Sequence, residues 1–318
     1  NKYYTHRKSL FTLLLVVSVM VLLFANLSFA MGSKNMSEGK GLYIYSTTEI
    51  SRLLKETGYP DFWEHSDINI SRNSDGTALR FLSRHKKKLV IITCDGSISE
   101  KDISVYPAWF NDDHQLIAWH DWNTGMIHYK NGMKEKISLS FNHDSGPDPS
   151  GCYFIKYPTP SHDTPLSISC ITEIFTTDKP DLPLANARVC GIRKIFFKDN
   201  KVLVFGNDYS DKEKKKEDST TAHIFQLIDS KLIKAEEVII NRPKKSPAPF
   251  YVMDLSPWND EVLFIDVFDF PFRSRLYVFN LKTQEMKKIG KVPFSGGWGF
   301  YLQCDIIKEV TDKLKESK

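Results

Sequence analysis

Beyond residue 40, apolar and polar positions alternate in short runs, and each run opens on a turn rich in Asp, Asn, Gly and Ser. Alternation with a period of two marks half-buried strands, and such turn residues bound them. The design recurs along the chain. Asp75-Gly76-Thr77 leads into Ala78-Leu79-Arg80-Phe81-Leu82, Asp112-Asp113-His114-Gln115 into Leu116-Ile117-Ala118-Trp119, and Pro149-Ser150-Gly151 into Cys152-Tyr153-Phe154-Ile155. Asp199-Asn200 and Asn259-Asp260 open two more. With Leu79, Leu116, Tyr153, Val202 and Val262 in one slot, the spacings are 37, 37, 49 and 60 residues, and Phe300 is a weaker match.

Spacings near 40 with several short strands per unit predict an all-β chain, a β-propeller of six blades with four antiparallel strands each. Polar excursions at 172–184, 208–221 and 241–249 lengthen the wider intervals, and their composition suits solvent. One blade reads in full, with strands at 250–255, 262–267, 275–281 and 285–290. Residues 41–46 and 49–54 read as the outer strands of a composite blade, and 294–304 as its inner two. Their pairing would close the ring and remove an open sheet edge. The propeller then spans 41–305, leaving 306–318 as a polar tail, either a short helix or a frayed end.

Two strings carry a family likeness, Leu276-Tyr277-Val278-Phe279-Asn280-Leu281-Lys282-Thr283-Gln284-Glu285 and the run Pro107-Ala108-Trp109-Phe110-Asn111-Asp112-Asp113-His114 with the strand after it. They resemble the repeats of the TolB-type and WD40-like bacterial β-propellers, in which a Pro-x-Trp-Ser-Pro-Asp-Gly turn precedes an apolar strand and an Ile-Tyr-Val-x-Asp-Leu strand follows. Asn111 stands where Pro is usual, and Gly is absent from the turns at Asp113 and Asp260, so the likeness is to the architecture and not to TolB itself. It implies a propeller that binds a protein or peptide partner.

Ahead of the repeats, Lys2, His6, Arg7 and Lys8 precede an uncharged run from Leu10 to Ala25, and Ser28-Phe29-Ala30 follows. This is the layout of a secretory signal over residues 1–30, or of an uncleaved membrane anchor, joined to the propeller by a linker at 31–40. Both readings place the body outside the cytoplasm, with the membrane reached only through this segment. The formal net charge is +4. Without residues 1–30 the body holds 40 basic against 39 acidic residues, so nucleic acid is excluded as a main partner.

The chemistry is sparse. The sequence holds no Gly-x-Ser-x-Gly elbow, phosphate-cradling glycine loop or His-Glu-x-x-His helix. The five cysteines show no Cys-x-x-Cys pair, and the chain is expected to use neither metal nor cofactor. Cys152 and Cys170 bound two strands of one blade, a spacing that makes a disulfide an even alternative to free thiols. Propellers bind ligands at the channel mouth, so the candidate binding residues are His143, Asp144 and Asp148 near one turn, and Asn69, Arg193 and Asp254 on innermost strands. The turn residues also fit a purely conformational role. A binding module is the leading function, and a glycan or peptide hydrolase or lyase using acids at the mouth is the alternative.

Overall fold

The computed structural model describes residues 42–43, 47–59, 68–121, 123–136, 148–156, 171–188, 190–207, 219–243, 250–256, 261–269, 273–293 and 299–317. The apolar segment expected to direct export, and the linker after it, lie outside these residues. Among the described residues no helix is long and apolar enough to cross a membrane.

The chain opens with β1 (Leu42–Tyr43) and α1 (Thr47–Glu56), then runs through a series of antiparallel meanders. The first sheet holds β2 (Ile68–Arg72), β3 (Ala78–Ser83), β4 (Lys88–Thr93) and β5 (Ile98–Asp102). The second holds β6 (Ala108–Phe110), β7 (Leu116–Asp121), β8 (Met126–Tyr129) and β9 (Lys134–Lys136). The third comprises β10 (Tyr153–Lys156), β11 (Ile171–Thr176) and β12 (Ala185–Arg188). The fourth has β13 (Cys190–Lys198), β14 (Lys201–Asn207), β15 (Ser219–Ile228) and β16 (Lys231–Asn241). The fifth has β17 (Phe250–Leu255), β18 (Val262–Asp269), β19 (Arg273–Asn280) and β20 (Met286–Pro293). Last come β21 (Phe300–Tyr301), which pairs with β1, and α2 (Ile306–Glu316).

This is an all-β propeller with four complete four-stranded blades among the described residues. Its core is a set of apolar layers between successive sheets, because strands such as β3 and β4 bury both faces. Ala78, Leu82, Leu89 and Ile91 of the first sheet meet Ala108 and Phe110 of the second. Ala118, Ile127 and Tyr129 then meet Phe154 and Phe175 of the third. Tyr153, Ile155 and Ile174 pack on Ile195, Val202, Val204 and Phe225 of the fourth. Leu203, Phe205, Val238 and Ile240 pack on Val252, Leu263, Ile265 and Val267 of the fifth. Phe264 of the fifth lies edge-on to Tyr301, with ring centroids 5.8 Å apart. The circuit ends where Leu302, Ile306 and Val310 cover Leu79, Phe81, Val90 and Ile92 on the other flank of the first sheet. Each fully buried phenylalanine, such as Phe81, Phe154 or Phe264, contributes roughly 1.5–3 kcal/mol by burial.

The ends of the chain depart from expectation. Residues 49–54, read as a strand, belong to α1. Ile50, Leu53 and Leu54 fall at helical spacing, and Leu53 and Leu54 are buried in the first layer. The C-terminal stretch, read as a short polar helix or a frayed end, is a helix, and an amphipathic one that buries Ile306 and Val310. Asp305 caps it, accepting a 2.8 Å hydrogen bond from the Lys308 amide. Residues 172–176, placed in a polar excursion, belong to β11, since Ile171, Thr172, Ile174 and Thr176 are β-branched and suit a strand.

A disulfide joins Cys94, in the turn after β4, to Cys304, just before α2, with Cα atoms 5.6 Å apart. Cys152, for which a disulfide with Cys170 and a free thiol were even alternatives, is a free thiol, and Cys170 lies outside the described residues. Tyr153 faces Thr176 and Lys156 faces Glu173, and the Thr177 amide donates to the Cys152 carbonyl.

Candidate functional site: two unequal mouths

Among the described residues, the turns that lead into β3, β7 and β10 lie at one mouth, and the repeat is visible there atom by atom. Asn73 Oδ1 accepts from the amides of Thr77 and Ala78 at 3.0 and 2.9 Å. Asn111 Oδ1 accepts from Gln115 at 2.9 Å, and Asp148 Oδ1 from Cys152 and Tyr153 at 3.1 and 2.9 Å. Three residues after each of these stands one with positive φ: Gly76 at 70°, His114 at 58° and Gly151 at 72°. An Asx side chain that imitates the backbone, followed by a left-handed residue, builds a tight return from strand to strand.

Two arginines from the first sheet hold these turns together. Arg72 Nε and Nη2 donate to Asp254 Oδ2 and Oδ1 at 2.6 and 2.8 Å, a fork-on-fork pair between the first and fifth sheets. Arg72 also donates to the carbonyls of Asn73, Ser74 and Leu255. The amides of Tyr301 and Leu255 donate to the same Asp254 carboxylate at 2.6 and 2.9 Å, tying the closing strand to the pair. Arg80 donates to the carbonyls of Phe110 and Asn111 in the second sheet's turn, to Pro149 in the third sheet's turn, and to Arg72. Ser74 donates to the Asp112 carboxylate through both amide and hydroxyl.

Arg72 and Arg80 are each only 3% exposed, although they reach past neighbouring sheets to partners around the ring. They fill this mouth. Burial pulls the Arg80 guanidinium down to about 10, against the attraction of Asp112. Burial pushes the Asp148 carboxyl up to about 6, against donors on Ser150 and Tyr153.

The candidate residues therefore separate. Asp148 and Asp254 lie at the filled mouth, and their carboxylates are occupied. Asp148 accepts from the Ser150 hydroxyl and from the amides of Ser150, Cys152 and Tyr153. Asn69 is half-buried on β2 opposite Leu82, well toward the other mouth from Arg72. Arg193 falls in the irregular pairing between Cys190 and Lys194 of β13, and its side chain lies outside what is described. His143 and Asp144 also lie outside the described residues. Among the described residues no group of His, Cys, Asp and Glu is placed to hold a metal.

The other mouth is built differently. Here β3 turns into β4 and β7 into β8, and the inner strands β2, β6, β13 and β17 begin. Lys87, Asn123 and Thr124 are exposed there. Asp121 shapes its own turn, accepting from the Asn123 amide at 2.9 Å and the Thr124 hydroxyl at 2.8 Å. His120 beside it is buried.

Sequence reading missed Arg72, Arg80 and Asp112. The available signal was Arg80 itself, a charge on an otherwise apolar face between Ala78 and Leu82. A charge in that position has to find partners.

No family model matches the chain, and no curated protein matches it. Solved structures show a similar arrangement of sheets. One is the hydrazine synthase of Kuenenia stuttgartiensis, with a TM-score of 0.40 and 9% identity over 70% of this chain and 65% of that one. Another is TolB from Acinetobacter baumannii, at 0.39 and 11% over 70% and 53%. A third is the β-propeller domain of the Trilobed protease from Pyrococcus furiosus, at 0.30 and 12% over 70% and 57%. The chain thus spans between half and two thirds of the length of these three, and similarity at this level concerns the fold alone.

Proposed function

We propose that this protein is an exported six-bladed β-propeller that binds a protein or peptide outside the cytoplasm, at the mouth where the inner strands begin. The observation that carries this reading is the filling of the opposite mouth by Arg72, Arg80 and their acceptors, which leaves one end of the channel for a ligand. The six-blade count combines the five sheets with the β1–β21 pair as a composite blade. A disulfide between distant parts of the chain suits an oxidising compartment, in line with the export segment. Asp148, an acid of the enzymatic alternative, has its oxygens engaged by its own turn, which favours binding over hydrolysis.

Photocrosslinking residues placed at Lys87 and Asn123, with Asp75 and Asp113 at the filled mouth as controls, test the assignment in intact cells. A shared adduct from the first pair alone is the expected result. Adducts only from the controls would overturn the choice of mouth. Monomer throughout, together with hydrolysis of a glycan or peptide panel, would overturn the binding function.

A further inference from the structure

The β15–β16 hairpin carries the most exposed apolar surface on any sheet edge described. Ile228, Ile233 and Ile239 are 46%, 51% and 58% exposed. β16 is the outermost strand of its sheet and the longest strand described, at 11 residues. Other outer strands are guarded in ways that discourage edge pairing. β5 exposes Glu100, Lys101 and Asp102, β20 exposes Lys287 and Lys288, and β9 and β12 have only 3 and 4 residues. β16 also exposes Lys231, Lys234, Glu236 and Glu237, so a strand that pairs with this long edge must match its charges as well as its isoleucines.

The residues of β16 indicate which strand. Its pairing with β15 shifts at Ala235, so the strand changes face there: Lys234 lies opposite Phe225, and Glu237 opposite His223. Leu232, Lys234, Glu237 and Ile239 therefore share the face toward the third sheet, while Ile233 and Val238 share the other. Consider a second β16 running antiparallel, with the two-fold axis between Ala235 and Glu236. Lys234 then faces Glu237 of the second copy, Leu232 faces Ile239, and Ile233 faces Val238, and each match occurs twice by symmetry. Opposite charges meet near the axis, apolar residues flank them, Lys231 faces Ile240 at each end, and no residue crosses to the wrong face.

We propose that the chain forms a two-fold homodimer by antiparallel pairing of β16 with β16, joining two fourth sheets into one. Lys234 and Glu237 already pair within one chain, so dimerisation extends that pair into a network of four charges. The contact lies on the outer rim and is independent of the mouth.

Sedimentation velocity on the full chain in density-matched detergent, with amide exchange of residues 231–241, provides the test. Wild type is expected to sediment as a dimer, with slowed exchange along β16. Lys234→Glu alone, or Glu237→Lys alone, sets like charges opposite each other at both matches and weakens the dimer by roughly tenfold or more. The double exchange Lys234→Glu with Glu237→Lys restores it. Circular dichroism checks that the single variants remain folded, as expected for an exposed pair. A wild-type monomer up to roughly 100 μM would overturn the proposal. So would a dimer that the single exchanges leave equally tight.

Discussion

Replacing Asp254 with Asn removes one charge and changes almost no volume, so it isolates what the Arg72 pair contributes. Arg72 would stay buried with only neutral acceptors, the carbonyls of Asn73, Ser74 and Leu255. Breaking a buried ion pair from one side costs about 3–5 kcal/mol, chiefly because the other charge is left uncompensated. Asn offers one acceptor oxygen where the amides of Leu255 and Tyr301 now use two, so the upper part of that range, about 4–5 kcal/mol, applies. That is a large share of the roughly 5–15 kcal/mol by which a domain is stable. Urea unfolding with the disulfide intact should show the midpoint falling at constant slope. Exchange of the Tyr301 amide should quicken before the rest of the ring opens. Removing both charges, with Arg72→Met and Asp254→Leu, should cost less than Asp254→Asn alone, because no unpaired charge remains. A loss under about 1 kcal/mol for Asp254→Asn, or a double variant less stable than the single one, would refute the reasoning.

Other perturbations address different parts of the ring. Serine at Cys94 and Cys304 frees a span of 210 residues, for which chain entropy predicts a loss of up to about 5 kcal/mol in non-reducing urea melts. Gly151→Ala combines a φ of 72° with a Cβ placed 2.7 Å from Ile117 Cδ1 and 2.9 Å from Asn111 Cα, and should cost about 3 kcal/mol by thermal unfolding. Gly125→Ala, with φ of 65° and open space around it, should cost only about 1 kcal/mol. The Asp148 carboxyl titrates near about 6 in the folded state, above its ordinary 3.8. Its contribution to stability is therefore fully present below pH 4 and is lost as pH rises through about 6, by roughly 2–3 kcal/mol. Asp148→Asn should flatten that slope between pH 4 and 7, measured as urea midpoints across the range.

How much of this was legible in the sequence depended on whether the signal was local. The strands of the fifth sheet read almost to the residue, because alternation and the turns at Ser256 and Lys282 mark them within a few positions. Closure by β1 and β21 was also legible, since each end offered an incomplete blade. The run at 49–54 was misread because a short apolar segment fits either period until its partner is known, and here the partner is Leu302 and Ile306 at the far end of the chain. The mouth illustrates the same limit. Asp254 stood out on an innermost strand and Asp148 beside a turn. Asp148 is saturated by its own turn, whereas the saturation of Asp254 depends on Arg72 and on register across sheets, which spacing does not encode. Arg80 looked like one more alternating residue, yet its partners are carbonyls in two other turns.

The closing pair has a consequence for the order in which the protein can be made. Each meander contacts mainly its sequence neighbours, so blades can assemble one after another as the chain emerges. Tyr43 must nevertheless wait for Phe300, and Cys94 for Cys304, which appear only after every internal sheet has been made. Until then Leu79, Phe81, Val90 and Ile92 have only Leu53 and Leu54 of α1 in their layer, and a growing chain would carry a partly covered sheet from its first blade to its last. A chain truncated before Leu302 should therefore aggregate despite holding every internal sheet, and chaperones that shield nascent chains should act longest on the first blade.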